Sequence, residues 1–81
     1  MGRDMTLGEY RVGISFNPGG NATVDAIKRA AADLIDLIAT VPPVDNNDAN
    51  SSEVARLVAL AMTHIEDGAM WAVKAATKPP R

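Results

Sequence analysis

The chain has 81 residues, 47% of them hydrophobic, and this length suffices for one small domain but not for two. Its 8 basic and 10 acidic side chains give a net charge of -2, which argues against the strongly basic surface expected of a protein that binds duplex DNA. We therefore predict a single domain over residues 1–81 that has no DNA partner.

The hydrophobic core of such a small domain is expected to be too small to stabilise the fold on its own. A single core of about 70–80 residues rarely supplies more than about 3–5 kcal/mol, and with no cysteine and one histidine neither disulfides nor a structural zinc site can add to it. Self-association is therefore the remaining candidate for added stability. No run of about 18 uncharged apolar residues is present, and the first residues lack the layout of a secretory signal. We expect a cytoplasmic protein without a membrane partner.

The first 20 residues predict an N-terminal arm that is extended or irregular. They hold most of the glycines of the chain and lack a helical period. Val12, Ile14 and Phe16 alternate with other residues, which is typical of a short strand-like segment. The sequence Asn-Pro-Gly-Gly at positions 17–20 then predicts a turn, because proline fixes one φ value and glycine permits positive φ.

A first long helix is predicted over residues 22–40. Asn21 is a good N-cap residue, and Pro42-Pro43 stops the helix. Apolar residues recur between these signals at alternating steps of three and four, as on one face of a helix. They are Val24, Ile27, Ala31, Leu34, Ile38 and Val41.

A second helix is predicted over residues 51–76, after a polar loop. Asn50 stands three residues before Glu53, which resembles a capping box with Asn in place of Ser or Thr, and Lys78-Pro79-Pro80 ends the helix. The two helices form an αα-hairpin, so the predicted fold class is all-α. Their apolar faces are wider than two helices can shelter from water, and we therefore predict a homo-oligomer built from hairpins.

Few side chains are suited to catalysis. His64 is the only imidazole, there is no thiol, and His64 and Asp67 make at most a weak pair on one helix face. We therefore expect no enzyme activity, no metal site and no cofactor.

Several residues suit binding of a small anion or a base, although each also has an ordinary structural interpretation. The loop from Asn17 to Asn21 leads into a helix N-terminus, which favours either a phosphate or a plain turn with an N-cap. Lys28 and Arg56 are candidates for a phosphate or for a solvated helix face. Tyr10 and Phe16 lie beside basic residues of the arm and are suited to stacking on a nucleobase or to burial against the hairpin. For Trp71 we expect packing in an inter-helix or inter-subunit core.

Taken together, the pattern resembles the phage anti-CBASS cyclic-nucleotide sponges. The most specific part lies between Thr63 and Lys74 and contains Met-Trp-Ala-Val-Lys at positions 70–74. The other residues that carry the resemblance are Tyr10-Arg11, Phe16-Asn17-Pro18, Ile27-Lys28, Leu34-Ile35, Arg56, Ala61 and Glu66.

The resemblance implies a helical hairpin assembled into a hexamer, which sequesters cyclic di- or trinucleotides made by CBASS immune enzymes without degrading them. Related hairpins act against cyclic ADP-ribose signals of Thoeris defence, so this class of signal is a further expected partner. The site would lie between subunits in the cytoplasm of an infected bacterium. Tyr10 or Phe16 is expected to stack on a base and Lys28 to engage phosphate. Further expected ligand contacts are Arg11, Asn17, Arg56 and Thr63. The alternative is a structural or regulatory hairpin oligomer that binds a protein partner.

Overall fold

The structure is a computed structural model that describes residues 4–42 and 49–81, and the described residues form three helices and no strand. Helix α1 spans Leu7–Val12, α2 spans Ala22–Ile38 and α3 spans Ala49–Ala76. The all-α fold class is confirmed, whereas homo-oligomerisation remains a prediction. Residues 43–48, which hold most of the predicted loop between the long helices, lie outside the described residues.

The arm contains a helix, α1, where the sequence predicted an extended or irregular segment. Thr6 Oγ1 accepts a hydrogen bond from the Glu9 backbone N–H at 3.1 Å, and Glu9 Oε1 accepts one from the Thr6 backbone N–H at 2.9 Å. This capping box starts the helix, and Gly13, left-handed with φ 64°, ends it. The strand-like prediction at residues 12–16 was wrong, because Val12 is the last residue of α1 and residues 13–15 form the turn that follows its C-cap.

Helix α1 runs antiparallel to α2 and approaches it closely at Gly8. A Cβ atom at Gly8 would lie 2.1 Å from the backbone oxygen of Ala32, so only glycine fits without a shift. The Gly8 backbone N–H donates to Asp36 Oδ1 at 2.7 Å. The buried Glu9 carboxylate accepts a hydrogen bond from Arg29 Nη1 at 2.9 Å. The arm is therefore held against α2 by a steric fit and by polar contacts.

Helix α2 begins at Ala22, as the sequence predicted. Asn21 Oδ1 accepts hydrogen bonds from the backbone N–H groups of Thr23 at 2.8 Å and Val24 at 3.1 Å, which confirms the predicted N-cap. The helix ends at Ile38, two residues before the predicted end. Tighter turns follow, in which the N–H groups of residues 40 and 41 donate to the carbonyl oxygens three residues earlier.

Helix α3 begins at Ala49 and ends at Ala76. The predicted start at residue 51 was late, and Asn50 therefore lies inside the first turn rather than at the N-cap. Asn21 Nδ2 donates to the backbone oxygen of Ala76 at 3.4 Å, which brings the start of α2 to the end of α3. The two long helices thus form the predicted antiparallel hairpin.

The buried core of this hairpin is small. The Cα trace measures 53 × 37 × 12 Å, so most positions on each helix lie close to solvent. The chain exposes 5974 Å², whereas a compact monomer of 8.5 kDa exposes about 4,700 Å², which leaves about 1,300 Å² in excess. The buried apolar residues of the described chain are Val24, Ala31, Ala32, Ile35 and Met62.

Large apolar side chains remain exposed on both long helices. Trp71 is 61% exposed and Leu37 is 64% exposed. With so much of its surface exposed, Trp71 is not packed in a core between helices of one chain, so that expectation was wrong. Packing of Trp71 between subunits remains a prediction. None of the described helices combines the length and the apolar character needed to cross a bilayer.

Candidate functional site

A groove of about 460 Å³ lies where α1 and the turn after it meet α2 and α3. We call it the arm groove. It carries two aromatic rings, two cationic side chains and one carboxylate on an apolar floor. Its lining residues are Tyr10, Arg11, Val12, Gly13, Phe16, Lys28, Glu66, Ala69, Met70 and Val73. The predicted site residues of the arm and Lys28 thus come together in one place, apart from Asn17.

Both aromatic rings of the arm are exposed. Tyr10 is 75% exposed and Phe16 is 71% exposed, so the alternative that they are buried against the hairpin was wrong. Both border the arm groove, where a flat base can reach a ring face. Which of the two rings stacks on a base remains a prediction.

Lys28 lies beneath the arm and is only 7% exposed. Its Nζ donates hydrogen bonds to the backbone oxygens of Gly13 at 2.9 Å and Phe16 at 2.5 Å, and it lies 5.4 Å from the centroid of the Phe16 ring. The two carbonyls offset much of the cost of burying the ammonium group. An ammonium group has three N–H donors, and these two carbonyls engage two of them. The solvated-face interpretation of Lys28 was wrong.

Arg11 connects α1 to α3. Arg11 Nε donates to Glu66 Oε1 at 2.9 Å, and Nη2 donates to Thr63 Oγ1 at 3.4 Å. The structure thus places two predicted site residues, Arg11 and Thr63, beside each other. The sequence analysis did not assign Glu66 to the site. The sequence spacing could have indicated Glu66, because Thr63 and Glu66 are three residues apart on a helix and so share a face.

Asn17 uses its side chain to close the turn before α2. Its Oδ1 accepts from the Asn21 backbone N–H at 3.1 Å, and its Nδ2 donates to the Asn21 oxygen at 2.8 Å and to Asp25 Oδ1 at 2.9 Å. Gly20 completes the turn with φ 61°. Because Asn21 already caps two N–H groups of α2 and Asp25 adds a negative charge, these contacts favour the turn-and-cap interpretation over an anion site.

A second groove of about 560 Å³ lies on the other side of Phe16 and Lys28, which line both grooves. We call it the turn groove. It is bounded by the turn, by the start of α2 and by the end of α3. Its other lining residues are Asn17, Pro18, Gly19, Asn21, Val24, Val73, Ala76, Thr77 and Lys78.

Arg56 lies away from both grooves. Its Nη2 is 2.6 Å from Glu53 Oε2 and its Nε donates to Glu53 Oε1 at 2.9 Å, on an exposed part of α3. These hydrogen bonds lower the pKa of Glu53 and raise that of Arg56. Arg56 precedes Thr63 by two helical turns, about 10 Å along the axis. Within one chain, the structure does not bring Arg56 to the predicted site.

The described structure is that of a small all-α hairpin whose arm presents aromatic and basic side chains beside an open groove. A model of the Acb2/Tad1 hairpin domain matches residues 9–77, and the chain belongs to this family, the anti-CBASS and anti-Thoeris sponges. The resemblance found in the sequence is thereby confirmed. Searches of curated proteins and of solved structures return no match. The match includes every residue that lines the arm groove.

Proposed function

We propose that this protein binds cyclic nucleotide second messengers of bacterial antiphage defence and holds them intact, so that they cannot reach their receptors. Membership of the Acb2/Tad1 hairpin family supports this function. The single observation that carries it is the arm groove, where Tyr10 and Phe16 expose ring faces beside the cations of Arg11 and Lys28.

The chemistry of the arm groove suits such a ligand. Cyclic oligonucleotides combine flat bases with phosphodiester anions. Stacking on an aromatic ring contributes about 1–3 kcal/mol per base, and a hydrogen bond from a charged donor contributes about 1.5–3 kcal/mol. Lys28 has one N–H left for phosphate, and the charges of Arg11, Lys28 and Glu66 sum to a positive site. The apolar floor adds area that a base can cover.

We further propose that the protein assembles into a homo-oligomer, a hexamer by family resemblance, in the cytoplasm of an infected cell. The excess of about 1,300 Å² in exposed surface exceeds the roughly 800 Å² that each partner buries in a standard interface. Exposed apolar residues on both long helices, Leu37 and Trp71 among them, suit that interface. Arg56, which lies away from both grooves of one chain, then contacts ligand only if a neighbouring subunit completes the site.

Binding without turnover is expected from what the polar groups of the groove already contact. The Lys28 ammonium is committed to two carbonyl oxygens, and the Glu66 carboxylate is paired with Arg11. Neither is poised as a general base toward a ligand hydroxyl. The groove therefore holds a phosphodiester without a group placed to cleave it.

The test is a thermal-shift and calorimetric panel of cyclic GMP–AMP, cyclic tri-AMP and cyclic ADP-ribose, with linear dinucleotides as controls. A ligand at about 100 times its Kd stabilises the folded state by about 2.7 kcal/mol. For a domain of this size, that corresponds to a rise in Tm of about 10–20 °C. Bound nucleotide recovered after heat denaturation should be intact by chromatography. Absence of binding to every cyclic probe, or release of a linear product, would refute the proposal.

The alternative function is a hairpin oligomer that binds a protein partner and no nucleotide. The exposed apolar side chains of α2 and α3 are the observation that favours it. The same panel separates the two functions, because a protein-binding hairpin leaves Tm unchanged with all three cyclic probes.

A further inference from the structure

Glu66 poses an electrostatic problem for the proposed function. It is a half-buried carboxylate on the wall of a groove that is proposed to bind an anion. Like charges repel, so the Glu66 carboxylate weakens binding of an anionic ligand unless it also makes a contact that favours binding. An apolar or neutral residue would complete the wall without that repulsion. The contacts of Glu66 indicate what it does instead.

The Glu66 carboxylate fixes the direction of the Arg11 guanidinium. Arg11 Nε donates to Glu66 Oε1 at 2.9 Å, and Nη2 donates to Thr63 Oγ1 at 3.4 Å. A guanidinium has five N–H donors in a rigid plane. Glu66 and Thr63 engage one donor each on the α3 side, which leaves three donors in a defined plane. Without these contacts, Arg11 would be free to sample many rotamers.

We propose that Glu66 is a positioning residue for ligand binding, which holds Arg11 so that its remaining N–H groups meet a phosphodiester of the cyclic nucleotide. This inference rests on the function proposed above. Ordering a free arginine costs conformational entropy at each binding event, and a side chain that is already ordered avoids part of that cost. The planar donor edge also suits the two free oxygens of a phosphodiester. The benefit of orientation must exceed the repulsion from the carboxylate.

The experiment separates orientation from charge by comparing Glu66→Gln with Glu66→Ala. Both variants remove the negative charge, but only glutamine keeps an oxygen that can accept from Arg11 Nε. Binding of cyclic GMP–AMP, or of the tightest-binding probe of the panel, is measured by calorimetry. We expect Glu66→Gln to bind about threefold to tenfold more tightly than Glu66→Ala, because only the former keeps Arg11 ordered.

The same two variants in an Arg11→Ala background supply the control. With Arg11 removed there is nothing to orient, so the difference between glutamine and alanine at position 66 should disappear. A general structural role of Glu66 would keep the difference in both backgrounds. Equal binding of the two variants when Arg11 is present, or a difference that persists without it, overturns the proposal.

If the Glu66→Ala variant does not fold, a second substitution, Glu66→Asp, still tests the proposal. Glu66→Asp keeps the charge but shortens the side chain by one methylene, so that the 2.9 Å contact with Arg11 is lost. We expect Glu66→Asp to bind about threefold to tenfold more weakly than the parent at unchanged net charge. Parent-like affinity of this variant also overturns the proposal. If the parent binds none of the cyclic probes, the proposed function itself is wrong and this inference falls with it.

Discussion

Removal of the Lys28 ammonium group tests whether one side chain holds the arm in place. Lys28→Met keeps an apolar stem of similar length but lacks the donor that reaches the carbonyls of Gly13 and Phe16 at 2.9 and 2.5 Å. Each hydrogen bond from a charged group contributes about 1.5–3 kcal/mol. Because the substitution also relieves the desolvation of a buried charge, we expect a net loss of about 1–3 kcal/mol rather than the sum of two bonds.

Amide hydrogen exchange in the ligand-free protein measures this loss locally. The Ile14 N–H donates to the Glu9 oxygen and the Phe16 N–H donates to the Gly13 oxygen, both at 3.0 Å, so both amides report the opening of the arm. A loss of about 1–3 kcal/mol makes their exchange about 5 to 150 times faster. Lys74→Met is the matched control for charge, because Lys74 is exposed on α3 and its Nζ lies 5.4 Å from the centroid of the Trp71 ring rather than against the arm.

Ligand binding by the same variant tests the second role of Lys28. If its remaining N–H meets a phosphate, Lys28→Met should weaken binding of cyclic GMP–AMP by about tenfold to a hundredfold, whereas Lys74→Met should not. Unchanged exchange at Ile14 and Phe16 would show that the carbonyl contacts do not hold the arm. Parent-like affinity would show that Lys28 has no phosphate role.

Three further predictions concern the arm fit, the subunit interface and the aromatic rings. Gly8→Ala should lower Tm, because its Cβ would lie 2.1 Å from a backbone oxygen of α2. Gly68→Ala should raise Tm, since nothing lies within 4 Å of its Cβ and alanine favours a helix by about 1 kcal/mol. Equal shifts in Tm would contradict the close packing of α1 against α2. Trp71→Ala should reduce the oligomer mass measured by light scattering, and an unchanged mass would place this side chain outside the interface. Tyr10→Ala and Phe16→Ala should differ in calorimetry, since the ring that stacks contributes about 1–3 kcal/mol, or about 5- to 150-fold in Kd; equal losses would argue against a single stacking ring.

The sequence predicted the long helices because their signals are local and repeated. Asn21 is a strong N-cap, and alternating apolar steps of three and four continue over several turns of α2. The arm helix escaped prediction for the opposite reason. Six residues carry less than two turns of pattern, and the only strong local signal was the capping box between Thr6 and Glu9. The contact of Gly8 with Ala32 is nonlocal, so no feature of the arm alone could reveal it.

The sequence predicted most of the residues of the candidate site but not how they contact one another. Residue type indicated that Tyr10 and Phe16 suit a base, and the family resemblance implied that Lys28 engages phosphate. The structure places all three on the arm groove. Sequence could not show that Lys28 is buried beneath two carbonyls, because that depends on how the arm folds back over α2. Nor could it pair Arg11 with Glu66, since 55 residues separate them. Contacts of this kind exist only once three helices meet.

The arm is built to be ordered before any ligand arrives. A six-residue helix is unstable in isolation, and α1 is held by its capping box, by the fit of Gly8 and by the pairing of Arg11 with Glu66. A preorganised site avoids the entropy cost of ordering at the moment of binding. We therefore expect the amides of Tyr10 and Gly13 to be protected from exchange in the ligand-free protein and to change less than about tenfold when cyclic GMP–AMP binds. Should their exchange slow by about a hundredfold or more on binding, the arm would be ordered by the ligand rather than by α2 and α3.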